Sequence, residues 1–251
     1  MRSMKISVIA AILCLALCLS CVGCFAEEAA AIPTELNGTY VELFPAMDAE
    51  EVKPLWYSSF KTTLGVEDES VAEMLRSIII GMFEADAYGE DALALAAEDP
   101  TYYAFNCYFL QDVATFVIKD GTITGYDAAG EQLFSHAYTY VESLKTDFGP
   151  MTEMYGAMLT EETWPTFDLY VSDGEDDGFK YFAFSGDTPA TTWHIEFRYG
   201  ASAEDITAYF SGKYAYWLAS GFPTDAGDDT MQNVVDLFVA ENADSFAAMV
   251  Q

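Results

Sequence analysis

The pattern of hydrophobic and polar positions predicts helices early in the chain and mainly strands later. A turn and a strand are predicted over 36–44, and a helix over 48–61 with acidic residues in its first turn. A second helix is predicted to begin with Ser70 as its N-cap. One apolar face of this helix is expected to pack on the core. Its members are Val71, Met74, Leu75, Ile78, Ile79 and Met82.

From residue 101 onward, short aromatic and β-branched runs alternate with turn residues, as is typical of an antiparallel barrel or sandwich. Two further helices are predicted, a short one over 203–210 capped by Ser202 and a terminal one over 230–249. Residues 142–166 are predicted to be a connecting insertion within a single domain of residues 27–251. The predicted strands are 102–110, 114–118, 122–126, 131–141, 167–171, 179–184 and 192–199.

The first residues have the order of an export signal. Arg2 and Lys5 precede an apolar run over 6–19, and small residues follow before the first acidic residues. This order predicts a signal peptide over 1–26, because the apolar run is too short to span a bilayer comfortably. A lipid anchor on Cys24 or Cys21 is an equally good interpretation, and it would be the chain's only membrane contact. Either way we expect an extracytoplasmic protein, secreted, periplasmic or lipid-anchored at the cell surface.

The charge and the cysteine content exclude some classes of partner and site. The chain has 41 acidic and 10 basic residues and a formal net charge of −31, which excludes nucleic acid as a partner through like-charge repulsion. Such a surface concentrates cations, but solubility and repulsion between molecules are the favoured explanation of the charge. Four of the five cysteines lie in the export segment, and only Cys107 is certain to remain in the mature chain. An internal disulfide and a thiolate zinc site are therefore both excluded.

Motifs for catalysis are scarce, so we do not expect an enzyme. The sequence has no nucleophile elbow, no phosphate-binding glycine loop and no paired-histidine zinc motif, and its two histidines are His136 and His194. The acidic turn at 173–178 imitates the start of a calcium loop, but Phe184 occupies the position of the bidentate acid. This turn is predicted to be a solvated acidic loop.

The most informative segment is the hairpin predicted around residue 190. If 192–199 is a strand, then His194, Glu196 and Arg198 share one face, opposite an apolar stripe. Asp187 ends the preceding strand, and a hairpin returns it alongside His194. One imidazole and two carboxylates make a candidate metal site from Asp187, His194 and Glu196. The alternative from spacing is a polar outer face on which Glu196 pairs with Arg198. The apolar stripe comprises Trp193, Ile195, Phe197 and Tyr199.

Several segments resemble the ZinT family of extracytoplasmic zinc-binding proteins. Residues 36–45 resemble the family's opening strand, and residues 184–187 resemble its Phe-Ser-Asp-His turn. Residues 194–200 resemble its His-Phe-His strand. Residues 217–223 and the terminal helix resemble the carboxyl-terminal segment of the family. The resemblance implies a lipocalin- or calycin-like barrel with added helices and a zinc site near the barrel mouth. It also implies a role in metal homeostasis or uptake, with a metal-uptake transporter component as a partner.

The resemblance implies a changed set of metal ligands. Asp187 takes the place of the family's first histidine, His194 keeps the second, and Glu196 takes the place of the third. The expected ligand is Zn²⁺ or another divalent cation, since carboxylates shift preference towards harder metals. Arg198 is expected to weaken the site by neutralising Glu196. The alternatives are a lipocalin-like protein that binds a small apolar ligand beside a degenerate metal site, and an acidic surface protein with an adhesive or structural role.

Overall fold

The structure is a computed structural model that describes residues 30–99, 105–146, 166–174, 177–227 and 229–247. The residues from Ala31 onward form one compact unit. The predicted signal peptide, its lipidation cysteines and most of the predicted insertion lie outside the described residues. The extent of the mature domain stays a prediction.

Eight antiparallel strands form a closed barrel in which each strand pairs with its neighbour in the sequence. The first and last strands pair with each other, with Tyr40 opposite Pro223 and Glu42 opposite Gly221. The predicted antiparallel barrel with additional helices is thereby confirmed. The strands are β1 (Gly38–Glu42), β2 (Thr115–Lys119), β3 (Thr122–Tyr126), β4 (Gln132–Lys145), β5 (Thr166–Ser172), β6 (Tyr181–Phe184), β7 (Ile195–Gly200) and β8 (Ala219–Pro223).

Aromatic side chains fill the inside of the barrel. Phe116 on β2 is fully buried, and its ring contacts those of Phe182, Phe197 and Tyr199 at centroid distances of 5.8, 5.2 and 5.3 Å. An eight-stranded barrel is just wide enough for its inward side chains to meet. In the described part of the chain, the aromatic side chains of the barrel interior therefore pack against one another, which disfavours the alternative of a lipocalin-like protein that binds a small apolar ligand.

Among the described residues, seven α-helices accompany the strands: four lie between β1 and β2, one follows β7 and two follow β8. The first three helices and the two that follow β8 form a second hydrophobic cluster, whereas the fourth helix and the one after β7 pack with the barrel residues. None of the described helices has both the length and the apolar character needed to cross a membrane. The helices are α1 (Leu43–Asp48), α2 (Lys53–Leu64), α3 (Glu69–Phe83), α4 (Gly89–Glu98), α5 (Ala203–Thr207), α6 (Thr230–Glu241) and α7 (Ala243–Ala247).

Helix α3 differs in detail from its prediction. Asp68, not Ser70, is the N-cap, and its side chain accepts the Ser70 backbone N–H at 2.8 Å. The buried face is also rotated, since Met74 is 47% exposed. Consecutive isoleucines make the sequence pattern fit more than one face, so periodicity alone could not choose between them. The buried residues are Ala72, Leu75, Arg76, Ile79 and Ile80.

Two other predictions are corrected, and two elements were missed. Residues 105–110, predicted as part of a strand, are irregular and carry an isolated bridge from Asn106 to Trp217. Residues 142–145, assigned to the insertion, continue β4 instead. Helix α4 and strand β8 were not predicted. Strand β8 is difficult to predict from the sequence because its five residues include a glycine and a proline, which are rare inside strands.

An ion cluster fixes α3 against α1. Arg76 is 6% exposed, and its guanidinium donates to Glu73 at 2.6 Å and also contacts Asp48. The hydrogen bonds from Arg76 lower the pKa of Glu73 to about 2. The cluster thus gives the buried guanidinium of Arg76 charged partners, without which its burial among apolar neighbours would destabilise the fold.

Replacement of Phe116 by alanine should destabilise the barrel strongly. Removal of a central, fully buried ring leaves a cavity among rigid aromatic neighbours, which typically costs about 3–5 kcal/mol. Urea unfolding monitored by tryptophan fluorescence measures the loss. Leu133→Ala is the control, because Leu133 is 41% exposed. Equal stability of the two variants would contradict the packing described for the interior.

Replacement of Glu73 by glutamine should remove stability that depends on pH. The lowered pKa means that Glu73 stabilises the fold above its unfolded value of 4.5, and that this contribution disappears as the pH falls towards about 2. We expect a loss on the order of 1 kcal/mol at pH 7, because the side chain is partly exposed. Unfolding free energies measured between pH 7 and pH 2 should converge at the acid end. The control is Glu67→Gln, which removes an exposed ion pair with Lys61. A constant difference at all pH values would refute the assignment.

Candidate metal centre

The centre lies where β6 and β7 are connected, at one end of the barrel. The connection begins at Ser185, whose backbone N–H donates to the Glu196 carbonyl at 2.9 Å and so extends the hairpin pairing. It turns at Thr188, whose carbonyl accepts the backbone N–H groups of Thr191 and Thr192. The chain then re-enters the sheet at Ile195. This turn returns Asp187 to the side of His194, as the sequence predicts.

Trp193 breaks the strand alternation that the sequence predicts. Its φ of 60° lies in the left-handed region, which is uncommon for a large side chain. The side chain packs against the helical cluster and not with the barrel interior. The predicted apolar stripe is therefore confirmed for Ile195, Phe197 and Tyr199 but wrong for Trp193.

The outer face of β7 carries Glu196 and Arg198, but these two residues do not form the predicted pair. Arg198 is 1% exposed and donates to the carbonyls of Ile206, Ala208 and Tyr209, at the end of α5. Burial lowers the pKa of Arg198 to about 10. The guanidinium is thus directed towards backbone acceptors, and the expected neutralisation of Glu196 by Arg198 is wrong.

Three candidate ligand atoms converge beside the hairpin. One nitrogen of His194 and one oxygen each of Asp187 and Glu196 lie within 4.8 Å of one another. His194 is 4% exposed, while both carboxylates are half-buried. His194 Nε2 lies 3.8 Å from a Glu196 carboxylate oxygen, beyond direct hydrogen-bonding distance. A cation between them could therefore contact all three groups.

A backbone carbonyl orients the imidazole of His194. Nδ1 lies 2.7 Å from the Thr192 carbonyl oxygen, so it is the nitrogen that donates a proton there. The ring also packs against Phe238 of α6, with centroids 5.8 Å apart. Nε2 is consequently the nitrogen that faces the carboxylates, with its lone pair available when the ring is neutral. Metal-binding histidines are commonly oriented in this way by a partner on the other nitrogen.

Ser185 holds the carboxylate of Asp187. Its hydroxyl donates to Asp187 at 2.7 Å, and the Asp187 backbone N–H donates to the same hydroxyl oxygen at 3.2 Å. The two bonds restrict the rotation of the aspartate side chain and leave its second oxygen for another contact. Asp187 and His194 are therefore both held in place by neighbours within the hairpin connection.

The electrostatics of the centre favour positive charge. Burial disfavours protonation of His194, but its interactions with Glu196, Thr192 and Asp187 outweigh that effect and raise the pKa of His194. Partial desolvation, followed by repulsion from Glu196 and Asp187, raises the pKa of Glu241 at the end of α6. The site thus stabilises a cation and destabilises a further negative charge.

Sequence reasoning identified Asp187, His194 and Glu196 but missed the residues around them. Ser185 offered a signal, since a serine two residues before an aspartate can bond its side chain. Glu241 offered another, because it continues the spacing of the apolar residues in the terminal helix. The Thr192 carbonyl offered none, because backbone acceptors are not encoded by residue type.

The second histidine lies in a different setting. His136 on β4 pairs with Asp177, with Nε2 2.8 Å from a carboxylate oxygen. Asp177 belongs to the acidic turn that resembles the start of a calcium loop, of which residues 175 and 176 lie outside the described residues. Within the described residues, His136 belongs to no group of three potential metal ligands. This pair is therefore a natural comparison for His194.

The fold and the centre define the class: an antiparallel eight-stranded β-barrel with a covering helical layer and a candidate three-residue metal centre at one hairpin. No protein-family model and no curated protein matches the sequence. One similar solved structure is the Zn(II)-bound ZinT-like domain of AdcA from Streptococcus pneumoniae. Its sequence is 13% identical, the match covers 84% of this chain and 93% of that chain, and the TM-score is 0.47. Another is Zn(II)-bound AdcA from Streptococcus pneumoniae, with 14% identity, coverage of 84% and 36%, and a TM-score of 0.46. Likeness at this level does not establish what this chain binds, which has to be inferred from its own side chains.

Replacement of Arg198 by methionine should destabilise the fold. The change keeps a long side chain but removes the donors to three backbone carbonyls, so we expect a loss of about 2–4 kcal/mol. Chemical unfolding measures this loss. Lys213→Met removes the same charge from an exposed position and should change stability by less than about 0.5 kcal/mol. If both variants unfold at the same denaturant concentration, the structural role of Arg198 is refuted.

Proposed function

We propose that this protein binds a divalent metal ion, with Zn²⁺ as the preferred cation, through Asp187, His194 and Glu196. The observation that carries the proposal is the approach of one imidazole nitrogen and two carboxylate oxygens to within 4.8 Å of one another. Each of the three is a common zinc ligand. The backbone bond to Nδ1 supports the proposal further, since it leaves Nε2 free to coordinate.

The donor set determines the order of metals that we expect. A nitrogen donor favours Zn²⁺ over Mn²⁺, in line with the general affinity order of divalent metals. Ca²⁺ prefers six to eight oxygen ligands, which this centre does not offer among its three groups. Zn²⁺ should therefore bind most tightly, Mn²⁺ more weakly, and Ca²⁺ least.

We propose a binding role and not catalysis. The sequence has no recognised catalytic motif, and the aromatic rings that fill the barrel disfavour a second role in carrying a small apolar ligand. The amino-terminal pattern supports an extracytoplasmic location, where the protein would serve metal homeostasis or uptake. A metal-uptake component is the corresponding partner, to which the bound ion would be transferred.

Replacement of His194 by alanine should abolish tight zinc binding. We expect isothermal titration of the wild-type protein with Zn²⁺ at neutral pH to show one site. The variant should bind at least about 100-fold more weakly, a change on the order of 3 kcal/mol. The physical reason is the loss of the nitrogen donor, which leaves two carboxylates that bind Zn²⁺ poorly by themselves.

The matched control is His136→Ala. It removes the other histidine, which also pairs with a carboxylate but has no third ligand group among the described residues. This variant should bind Zn²⁺ as the wild type does. The proposed function is wrong if the wild type binds no zinc. The assignment to this site is wrong if His194→Ala and His136→Ala bind zinc equally well.

A further inference from the structure

Helix α6 has an apolar stripe that ends in an acidic residue. Val234 and Phe238 are buried, and Glu241 follows them at spacings of seven and three residues, so all three lie on one side of the helix. Glu241 is the last residue of α6 and is exposed, so the buried side of the helix is continued at its end by a carboxyl group.

The same side of α6 contacts the candidate metal centre. The Phe238 ring packs against the His194 imidazole at a centroid distance of 5.8 Å. Glu241 lies about one helical turn further along the same side. Its carboxyl interacts electrostatically with Glu196, His194 and Asp187, which are the three groups of the centre. The end of α6 therefore brings a third carboxyl group to the hairpin.

The position of Glu241 is electrostatically unfavourable without a cation. It lies at the carboxyl end of α6, where the helix dipole is negative, and the last turn of α6 contains no basic residue. Two more carboxylates, Asp187 and Glu196, lie nearby and repel it. A divalent cation would turn these repulsive interactions into attractive ones.

We propose that Glu241 supplies a fourth ligand oxygen to the metal held by Asp187, His194 and Glu196. This inference rests on the proposed function. Zn²⁺ in closed sites has four ligands in a tetrahedral arrangement, and the hairpin offers three. Glu241 is exposed, and a glutamate side chain is long and flexible enough to turn towards the centre. Metal binding would then join the end of α6 to the β6–β7 hairpin and fix the carboxyl-terminal helices on the barrel.

Replacement of Glu241 by glutamine tests the inference through zinc affinity. Isothermal titration with Zn²⁺ should show about tenfold weaker binding for Glu241→Gln than for the wild type, about 1.4 kcal/mol. The matched control is Asp236→Asn, which removes one acidic charge from the opposite side of the same helix. The Asp236 carboxylate accepts a hydrogen bond from Gln232 at 2.8 Å, an interaction that asparagine can keep. A general effect of net charge would weaken binding equally in the two variants.

A second measurement reports on coordination directly. Co²⁺ substituted for Zn²⁺ has a visible absorption spectrum that depends on the number and type of its ligands. Glu241→Gln should change this spectrum, and Asp236→Asn should leave it as in the wild type. Amide hydrogen exchange should also slow in 230–247 when Zn²⁺ is added to the wild type, but not when it is added to Glu241→Gln.

The outcomes separate this inference from the proposed function. If the wild type binds no Zn²⁺, both are overturned. If the wild type binds Zn²⁺ and His194→Ala does not, the proposed function stands. In that case, equal affinity and an identical Co²⁺ spectrum for Glu241→Gln and Asp236→Asn would overturn the role of Glu241 alone.

Discussion

The pairing of β1 with β8 is the constraint on which the rest of the structure depends. It closes the sheet, so that no strand edge of the barrel is left unpaired. Closure also forces the inward side chains to meet, and β7 must then direct Phe197 inward and Glu196 outward. The position of Glu196 under the helical layer is therefore a consequence of barrel closure, together with the two-residue period of a strand.

The helical layer turns an exposed hairpin end into a half-buried centre. Phe238 covers His194 from outside, while the Thr192 carbonyl holds the other side of the imidazole. Electrostatic interactions strengthen where water is excluded, so the same carboxylates attract a cation more strongly here than on an open surface. The left-handed backbone at Trp193 fits this arrangement, because it directs a large side chain into the helical cluster immediately before His194.

Sequence reasoning succeeded where one physical rule dominated. Strand β3 was predicted with its observed bounds because glycine-containing turns flank a clear alternating run, and the approach of Asp187 to His194 followed from hairpin geometry alone. Sequence reasoning failed where more than one structure was compatible with the same residue pattern. Strand β8 was missed because Gly221 looks unfavourable in a strand, although a Cβ there would lie only 3.1 Å from Ile195 Cγ1, so closure favours a small residue. The partners of Arg198 are backbone carbonyls at the end of α5, the helix that follows β7, and no residue pattern encodes them.

The strong negative charge of the chain and the candidate centre have separate physical roles. A formal charge of −31 attracts cations of every kind, but salt screens that attraction beyond about 8–10 Å. The overall field can therefore raise the rate of encounter without choosing a metal. Selection of one metal over another requires a ligand atom whose affinity differs between metals. Among the three groups of this centre, only the imidazole nitrogen of His194 is such an atom. Because that imidazole is 4% exposed and bonded through Nδ1, its direction is set before a metal arrives. Selectivity then depends on one oriented nitrogen among carboxylates, and the acidic surface merely supplies the ions from which it selects.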